Sequence, residues 1–351
     1  MNHRRISSYE RSARHRRKRH NRKLAAMSAA VFLLAFAGIA AWIIYTQNLQ
    51  KSRHVTAGAS VDMGDGYRTV TYKGKSYQYN SLITTILYAG VDSKGEMKEN
   101  AAYASAPRAD SISLVVLDKK HQKMTIIAIS RDTMTEIRRY TISGYDRGTY
   151  VSHLGYAYTY GDGGKVSCEN LREAVAGLFG GIPVNEYAVT NQTSMTYIND
   201  LVDGITVTVP NNDLAALYPS MTEGKSVTLD ASNVTDFLQY RDTSVSFSNE
   251  GRIERQQTYV TAYIQKLKEK LGTDTQEIWN KLENMEPYLQ TSITKNKYLN
   301  LVNLLKKIEF SDSDYWHLAG ENQEGTAHDE FYVDEEALQD KIIEIFYEEI
   351  P

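Results

Sequence analysis

An uncharged stretch of twenty-two residues, Leu24 to Tyr45, constrains the fold of this chain most strongly. Ser28 is its only clearly polar side chain, and the stretch is long enough to cross a bilayer as a helix. A cleavable signal peptide is the alternative, but the stretch exceeds a usual signal-peptide core and no small-x-small cleavage site ends it. The sequence therefore predicts a retained transmembrane helix over residues 24–46.

The distribution of charge predicts the orientation of this helix. Residues 1–51 hold eleven Lys and Arg side chains against one acid, Glu10, and the remainder holds 29 basic and 42 acidic residues. Because basic flanks stay in the cytoplasm, we expect residues 1–23 to form a cytoplasmic tail and the C-terminal part to lie outside the cell. A basic tail could also bind nucleic acid. Beside a membrane span, a role in topology and anionic-lipid binding is favoured, so no nucleic-acid partner is expected.

Cysteine usage points to the compartment. Cys168 is the only cysteine, so the chain has no intramolecular disulfide and no cysteine-based metal site. An exported domain without disulfides suits a bacterial cell surface better than a eukaryotic secreted protein. Neither Cys168 nor His153 has a partner at metal-ligand spacing, so neither is predicted to bind a metal.

Short apolar runs and amphipathic segments are interspersed along the outer part, which favours an α/β fold. We expect a stalk and small hairpin over residues 47–80, followed by one domain over residues 81–351. That domain is predicted to be a three-layer αβα sandwich with a central mixed, partly antiparallel sheet. Its clearest helix is predicted over Arg252–Leu271, with Gly272 as the C-cap. The other predicted elements are Tyr67–Tyr72, Ser76–Tyr79, Leu82–Tyr88, Ile112–Leu117, Met124–Ile129, Asn170–Phe179, Glu186–Asn191, Ser194–Leu201, Ile205–Pro210, Tyr298–Ile308 and Glu335–Glu348.

Two arginine–aspartate pairs flank one predicted hairpin of the central sheet. Arg108 and Asp110 precede its first strand, and Arg131 and Asp132 follow its second. A single pair of this kind is usually a local ion pair. Burying an unpaired charge costs several kcal/mol, so a core would not gather such groups at one edge. The doubled pattern therefore indicates a pocket for a polyanion.

Further polar residues are placed to contribute to such a pocket. Asp92 follows a buried strand, where α/β proteins place site residues, although it could instead cap a turn. Arg252 and Gln256 are four residues apart on the predicted helix and project from one face.

Nearby charged residues have structural explanations. Arg255 could form an ion pair with Glu250 or Glu254 as readily as it could contact a ligand, so it is left out of the predicted site. Asp203 and Gly204 are predicted to form a turn before a strand, and a structural role is expected for both.

A series of short motifs follows along the chain. They are Ile86–Ser93, Arg108–Ser111, Ile129–Thr133, Tyr156–Tyr158, Leu201–Val207, Leu238–Arg241, Gly251-Arg252 and Arg255–Gln257. Each motif alone is weak, but the ordered set, spanning roughly residues 82 to 270, is specific. In this order, the motifs resemble those of the LytR–CpsA–Psr family of bacterial cell-envelope proteins.

The resemblance implies a membrane-anchored phosphotransferase. Such an enzyme moves a glycopolymer, for example a wall teichoic acid or capsule, from an undecaprenyl pyrophosphate carrier to peptidoglycan. It would use Mg²⁺, with Mn²⁺ as an alternative, held by Asp92 and Asp110. The residues implied to bind the pyrophosphate are Arg108, Arg131, Arg241, Arg252 and Gln256.

These residue types suit that chemistry independently of the resemblance. Arginine forks match phosphate oxygens bidentately, and carboxylates are the usual protein ligands of Mg²⁺. Positioning and electrostatic stabilisation supply most of the catalysis in phosphoryl transfer, so no protein nucleophile is needed. Arg131, Asp110 and Asp132 are the predicted catalytic residues. Asp132 would either orient Arg131 or accept the proton of the attacking hydroxyl.

Departures from the family pattern leave alternatives open. Thr243 stands where the family has a second arginine two residues after Arg241, and loss of one charged fork costs on the order of 1.5–3 kcal/mol. Ser130 replaces a family proline, and the asparagine expected before Tyr156 is absent. One alternative is a lipid-pyrophosphate hydrolase that uses water as acceptor. The other is a non-catalytic prenyl-pyrophosphate-binding regulator of envelope synthesis, which Thr243 favours.

Overall fold

The computed structural model describes residues 68–351 except 101, 241–247, 326 and 327; for residues 248–250 and 312 it describes the backbone alone. The predicted basic tail, the predicted transmembrane helix and Arg241 lie outside the described residues. Within the described part of the chain, no helix is both long enough and apolar enough to cross a bilayer.

Strands and helices follow one another in a mixed order. The strands are β1 Thr69–Tyr72, β2 Lys75–Tyr79, β3 Ile83–Val91, β4 Ala109–Asp118, β5 Lys123–Ile129, β6 Met134–Tyr140, β7 Asp146–His153, β8 Glu186–Asn191, β9 Ile205–Thr208, β10 Ser226–Leu229, β11 Leu289–Thr291, β12 Tyr315–His317, β13 Gly320–Gln323, β14 Glu330–Val333 and β15 Tyr347–Ile350. The α-helices are α1 Tyr156–Thr159, α2 Lys165–Leu178, α3 Ser194–Leu201, α4 Val234–Gln239, α5 Ser248–Thr273, α6 Thr275–Asn284, α7 Lys295–Leu305 and α8 Glu335–Phe346.

The central sheet has six strands in the order β11-β8-β3-β4-β5-β12. Strands β3, β4 and β5 are antiparallel neighbours, whereas β8 runs parallel to β3 and β12 runs parallel to β5. The predicted hairpin is confirmed, with Ile112 opposite Ile129 and Leu117 opposite Met124. The predicted α/β fold with a central mixed sheet is therefore confirmed.

Helices cover both faces of this sheet. One face is fully buried, and Leu87, Leu114 and Ile127 on it are each 0% exposed. This face packs in one cluster with the apolar residues of α2 and α8. The other face packs against α5 and α7 and is less tightly covered, because Ile86 and Val115 in the two middle strands remain partly exposed.

Several helix boundaries differ from those predicted, and those of α2 and α5 involve glycines. Helix α2 begins at Lys165, five residues before the predicted start, and Gly180 and Gly181 follow it with left-handed φ values of +69° and +84°. The prediction that Gly272 caps α5 was wrong, because the helix continues to Thr273. Asp274 then caps α6, accepting a 2.8 Å hydrogen bond from the backbone N–H of Glu277.

The predicted small hairpin is also present. Lys73 and Gly74 form its turn with φ values of 45° and 79°, the left-handed conformation that tight two-residue hairpin turns require. Strand β2 of the hairpin pairs with the C-terminal strand β15. The hairpin is thus joined to the end of the chain in one three-stranded sheet.

Candidate functional site

A charged cluster forms where β3 and β5 end and β4 begins. The carboxylate of Asp110 lies 2.5 Å from Arg131 Nη1 and 3.4 Å from Arg108 Nε. Arg131 Nε lies 3.7 Å from the carboxylate of Asp132. All four side chains are only partly buried. The structure therefore brings the two predicted pairs together across the hairpin, with both arginines accessible to a ligand.

An irregularity in β4 sets the position of Asp110. Gly90 pairs with Ser111 and Val91 pairs with Ala109, so Asp110 is an extra residue between two regular pairs. Such a bulge re-aims a side chain and is common beside active sites. Asp110 can thus contact Arg108, which directly precedes β4, and Arg131, which lies two residues after β5.

Gly155 fixes the backbone beneath the two arginines. Its N–H donates to the carbonyl of Arg131 (2.8 Å), and its own carbonyl accepts from the N–H of Ala109 (3.1 Å). A Cβ at position 155 would lie 2.6 Å from the Ala109 carbonyl oxygen and 3.1 Å from Arg108 Cγ. The approach of these segments therefore requires a residue without a side chain.

Tyr156, which follows this glycine, holds Arg108 from the side. The Arg108 guanidinium lies 5.6 Å from the centre of the Tyr156 ring, within range of a cation–π contact. His153 packs edge-on against the same ring at 5.6 Å. Arg108 is therefore oriented by one aromatic ring and one carboxylate.

Asp92 is exposed at the end of β3, next to this cluster. Its N–H donates to the carbonyl of Arg108 (2.9 Å), and its carboxylate accepts a 2.6 Å hydrogen bond from Gln192 Nε2. Gln192 follows β8, which runs parallel to β3, so both residues lie at the carboxyl ends of adjacent strands.

The carboxylates present suit one mode of Mg²⁺ binding. No group of three or more His, Cys, Asp or Glu side chains is placed to hold a metal within the described ranges. Asp92 and Asp110 nevertheless lie on neighbouring strand ends. Mg²⁺ is commonly held by one or two carboxylates together with substrate phosphates and water, and these two residues fit that pattern.

Arg252 and Gln256 lie on α5, and the direction of this helix along the sheet indicates that its N-terminal part points toward the same end. Ile264 of α5 packs with Leu117 and Met124 at the opposite end. Twelve residues separate Ile264 from Arg252, about 18 Å along a helix. Tyr259, between Arg252 and Ile264 on the helix, lies near Tyr88 of β3. Burial raises the pKa of both tyrosines.

Gln256 also has a structural contact. Its Nε2 donates a 3.0 Å hydrogen bond to the carbonyl of Leu238, three residues before Arg241. Gln256 therefore fixes the segment that leads to Arg241.

Arg255 is a fully buried structural residue, 0% exposed. Its guanidinium binds the carboxylate of Asp213 at 2.5 Å, a partner that the sequence analysis did not name. Further hydrogen bonds reach the carbonyls of Phe237 and Tyr240. The predicted structural role of Asp203 is confirmed, since Lys270 and Lys281 both bind its carboxylate.

Sequence reasoning missed Gln192 and gave no role to Gly155. A usable signal existed for Gln192, because it follows a strand that was predicted correctly. None existed for Gly155, whose role depends on the approach of three separate segments.

The sequence matches the family described as the LytR_cpsA_psr family over residues 46–344. The chain belongs to the LytR–CpsA–Psr family. Curated relatives include two proteins named polyisoprenyl-teichoic acid–peptidoglycan teichoic acid transferase TagU. The one from Bacillus cereus is 29% identical over 185 residues, covering 52% of each chain. The one from Halalkalibacterium halodurans is 28% identical over 123 residues, 35% of this chain and 34% of the relative. The match thus spans about half, or less, of these relatives' length.

Solved structures share the fold at low sequence identity. Protein gbs0355 from Streptococcus agalactiae has a TM-score of 0.57 at 20% identity, covering 75% of this chain and 87% of that one. TagV from B. subtilis has a TM-score of 0.54 at 21% identity, covering 75% and 96%. TagT bound to LI-WTA has a TM-score of 0.55 at 17% identity, covering 83% and 98%.

Proposed function

We propose that this chain is a membrane-anchored phosphotransferase that moves a glycopolymer from an undecaprenyl pyrophosphate carrier to peptidoglycan. The observation that carries the proposal is the convergence of Arg108 and Arg131 on Asp110 at the end of the central sheet. Family membership and the names of the curated relatives support it. The glycopolymer would be a wall teichoic acid, a capsule or a related wall glycan.

The pyrophosphate would bind where the arginines now meet Asp110. Both guanidiniums are held in a defined orientation yet partly exposed, so they can turn their remaining N–H groups to phosphate oxygens. Arg241, Arg252 and Gln256 would complete the site from α5 and the segment before it. Asp110, together with Asp92, would hold Mg²⁺, which neutralises charge on the bridging and leaving oxygens.

In the proposed reaction, a sugar hydroxyl of peptidoglycan attacks the phosphorus that bears the glycopolymer. The bond from that phosphorus to the bridging oxygen breaks, polyprenyl phosphate leaves with the electron pair, and a phosphodiester joins glycan to acceptor. Asp132 is placed beside Arg131, where it can orient the guanidinium or take the hydroxyl proton.

A partly covered apolar strip supports a site for the lipid. Ile86 of β3 and Val115 of β4 pack toward α5 and α7 and are partly exposed, although these are the two middle strands of the sheet. Ile86, Val115 and Val260 belong to this strip. We propose that the polyprenyl chain lies there, with its pyrophosphate at the strand ends.

The anchor would keep the domain beside its lipid-linked substrate. Residues 24–46 would cross the cell membrane once, with the N-terminus in the cytoplasm and the domain outside, where peptidoglycan is found.

One assay tests the proposal and separates the alternatives. The full chain, reconstituted in vesicles, is supplied with a lipid-linked oligosaccharide, Mg²⁺ and peptidoglycan. Glycan attached to the acceptor supports transfer. Released phosphoglycan alone indicates hydrolysis, and tight lipid binding without either product indicates a regulator.

Matched variants test the site within the same assay. Arg131→Ala and Asp110→Ala should each reduce transfer, whereas Arg147→Ala, at an exposed arginine of β7, should leave it unchanged. Unchanged turnover in both of the first two variants would refute the assignment of the site.

A further inference from the structure

A cavity of about 420 Å³ lies between α3 and the ends of β9 and β10. Its size falls within the range of about 300–1,000 Å³ that is typical of ligand pockets. The lining includes Tyr197, Asn199, Asp200, Asp203 and Asp230. None of these residues has a role in the proposed phosphate chemistry.

The floor of the cavity is preformed. Asn199 is buried, and its Nδ2 donates a 2.9 Å hydrogen bond to the carbonyl of Leu229 on β10. Its own backbone carbonyl accepts from the N–H of Gly204 at 3.0 Å. These bonds tie α3 to both strands, so the cavity does not depend on a ligand for its shape.

An aromatic platform forms one side. Tyr197 is 38% exposed, and its ring stacks on Tyr288 with centroids 5.1 Å apart and planes inclined by 25°. Stacking fixes one face of Tyr197 and orients the ring. A rigid tyrosine surface of this kind offers apolar area beside a hydroxyl, which suits the C–H face and the hydroxyl groups of a sugar ring.

Three carboxylates, Asp200, Asp203 and Asp230, also line the cavity. Hydrogen bonds from the hydroxyl and N–H of Ser232 lower the pKa of Asp230, and those from Lys270 and Lys281 lower the pKa of Asp203. Both carboxylates are therefore ionised at neutral pH and can accept hydrogen bonds from sugar hydroxyl or amide groups. The two lysines offset the charge of Asp203, so Asp200 and Asp230 are the groups that repel a phosphate-rich polymer.

The platform is connected to the strand-end site. Gln192, which binds Asp92, lies two residues before α3, and the N–H of Gly95 donates to Thr193 Oγ1 at 2.9 Å. The N–H of Met97 donates to the carbonyl of Pro287 at 2.7 Å, next to Tyr288. The loop that follows Asp92 thus packs against both segments that carry the two tyrosines.

We propose that this cavity is a subsite for an uncharged segment of the acceptor glycan, held by the Tyr197–Tyr288 platform and the surrounding carboxylates. The inference rests on the proposed function for the identity of the acceptor. The donor polymer is the other possible source of sugar, and its phosphate groups match the arginine cluster better than this acidic cavity.

The test measures binding to the full chain in detergent by isothermal titration. The first probe is a soluble, uncharged tetrasaccharide of β-1,4-linked N-acetylglucosamine, one of the two sugars of peptidoglycan, and the second is a short poly(glycerol phosphate). Tyr197→Ala should weaken tetrasaccharide binding about three- to tenfold, the loss expected for one aromatic contact. Tyr332→Ala is the matched control, because Tyr332 is 40% exposed on β14 and should leave binding unchanged.

Equal tetrasaccharide affinity in Tyr197→Ala and the unaltered chain would overturn the proposal. A weaker affinity of Tyr197→Ala for poly(glycerol phosphate) would also overturn the proposal, because the cavity would then hold the phosphate polymer. Binding of an intact stem peptide, but not of the tetrasaccharide, would also overturn it. Arg131→Ala keeps this test separate from the proposed function: it should abolish transfer while leaving tetrasaccharide affinity intact.

Discussion

Replacement of Arg255 by methionine should lower the free energy of unfolding of the domain. The guanidinium is fully buried and donates to four oxygens: those of Phe237, Tyr240, Asn211 and Asp213. Arg255→Met retains most of the apolar stem and removes every one of these donors. The change therefore isolates the polar contribution.

The expected loss of stability follows from the acceptors that lose their hydrogen-bond donors. Two of the acceptors are backbone carbonyls in the α4 segment, and a buried unsatisfied acceptor costs about 1–3 kcal/mol. Asp213 is 36% exposed, so its carboxylate keeps contact with water and adds less than the partner of a fully buried ion pair would. A total of about 2–5 kcal/mol predicts a fall in Tm of roughly 4–20 °C for a domain of this size. Transfer should fall as well, because Tyr240 directly precedes Arg241.

Thermal unfolding of the full chain in detergent, followed by circular dichroism, measures the effect. Lys266→Met is the matched control, since Lys266 is exposed on the same helix and its replacement should change Tm by less than about 2 °C. A Tm for Arg255→Met within the range of that control would refute the structural role of the guanidinium.

Three further predictions can be checked with single substitutions or labels. Gly155→Ala should lower the free energy of unfolding by about 1–3 kcal/mol, measured by urea unfolding, because the new Cβ overpacks against Ala109. Gly177→Ala on α2 is the matched control: its Cβ meets nothing within 4 Å, so it should raise the free energy of unfolding by about 0.5–1 kcal/mol. If both changes destabilise equally, the close approach at Gly155 is refuted. Burial raises the pKa of the Cys168 thiol, so its thiolate is scarce at pH 8 and maleimide labelling should proceed only through unfolding; rapid labelling of the native chain would contradict this. Asp92→Asn should raise the Mg²⁺ concentration needed for half-maximal transfer, measured by Mg²⁺ titration, and an unchanged requirement would remove Asp92 as a ligand.

Much of the fold could be predicted because the central strands carry clear patterns. Short β-rich apolar runs bounded by charged turns identified β3, β4, β5 and β8 to within a few residues. The predicted boundary at Gly272 was wrong for a physical reason. Asp274 caps the next helix, and α5 continues through the glycine to Thr273, directly before that cap.

Part of the site could also be predicted from the sequence. The pairing of Arg108 and Asp110 with Arg131 followed from the antiparallel hairpin, which places both pairs at one sheet edge. The bulge that re-aims Asp110 leaves no pattern in a single sequence. The partner of Arg255 was likewise inaccessible, because Asp213 lies 42 residues away and only the tertiary fold brings it close.

We propose that the strand-end arginines Arg108 and Arg131 bind a lipid pyrophosphate. The most direct measurement is the affinity of the full chain for farnesyl pyrophosphate with Mg²⁺, compared between Arg131→Ala and Arg147→Ala. We expect Arg131→Ala to weaken binding about 10- to 150-fold, the equivalent of roughly 1.5–3 kcal/mol for charged hydrogen bonds, and Arg147→Ala to leave it unchanged. Equal affinities in the two variants would contradict the account.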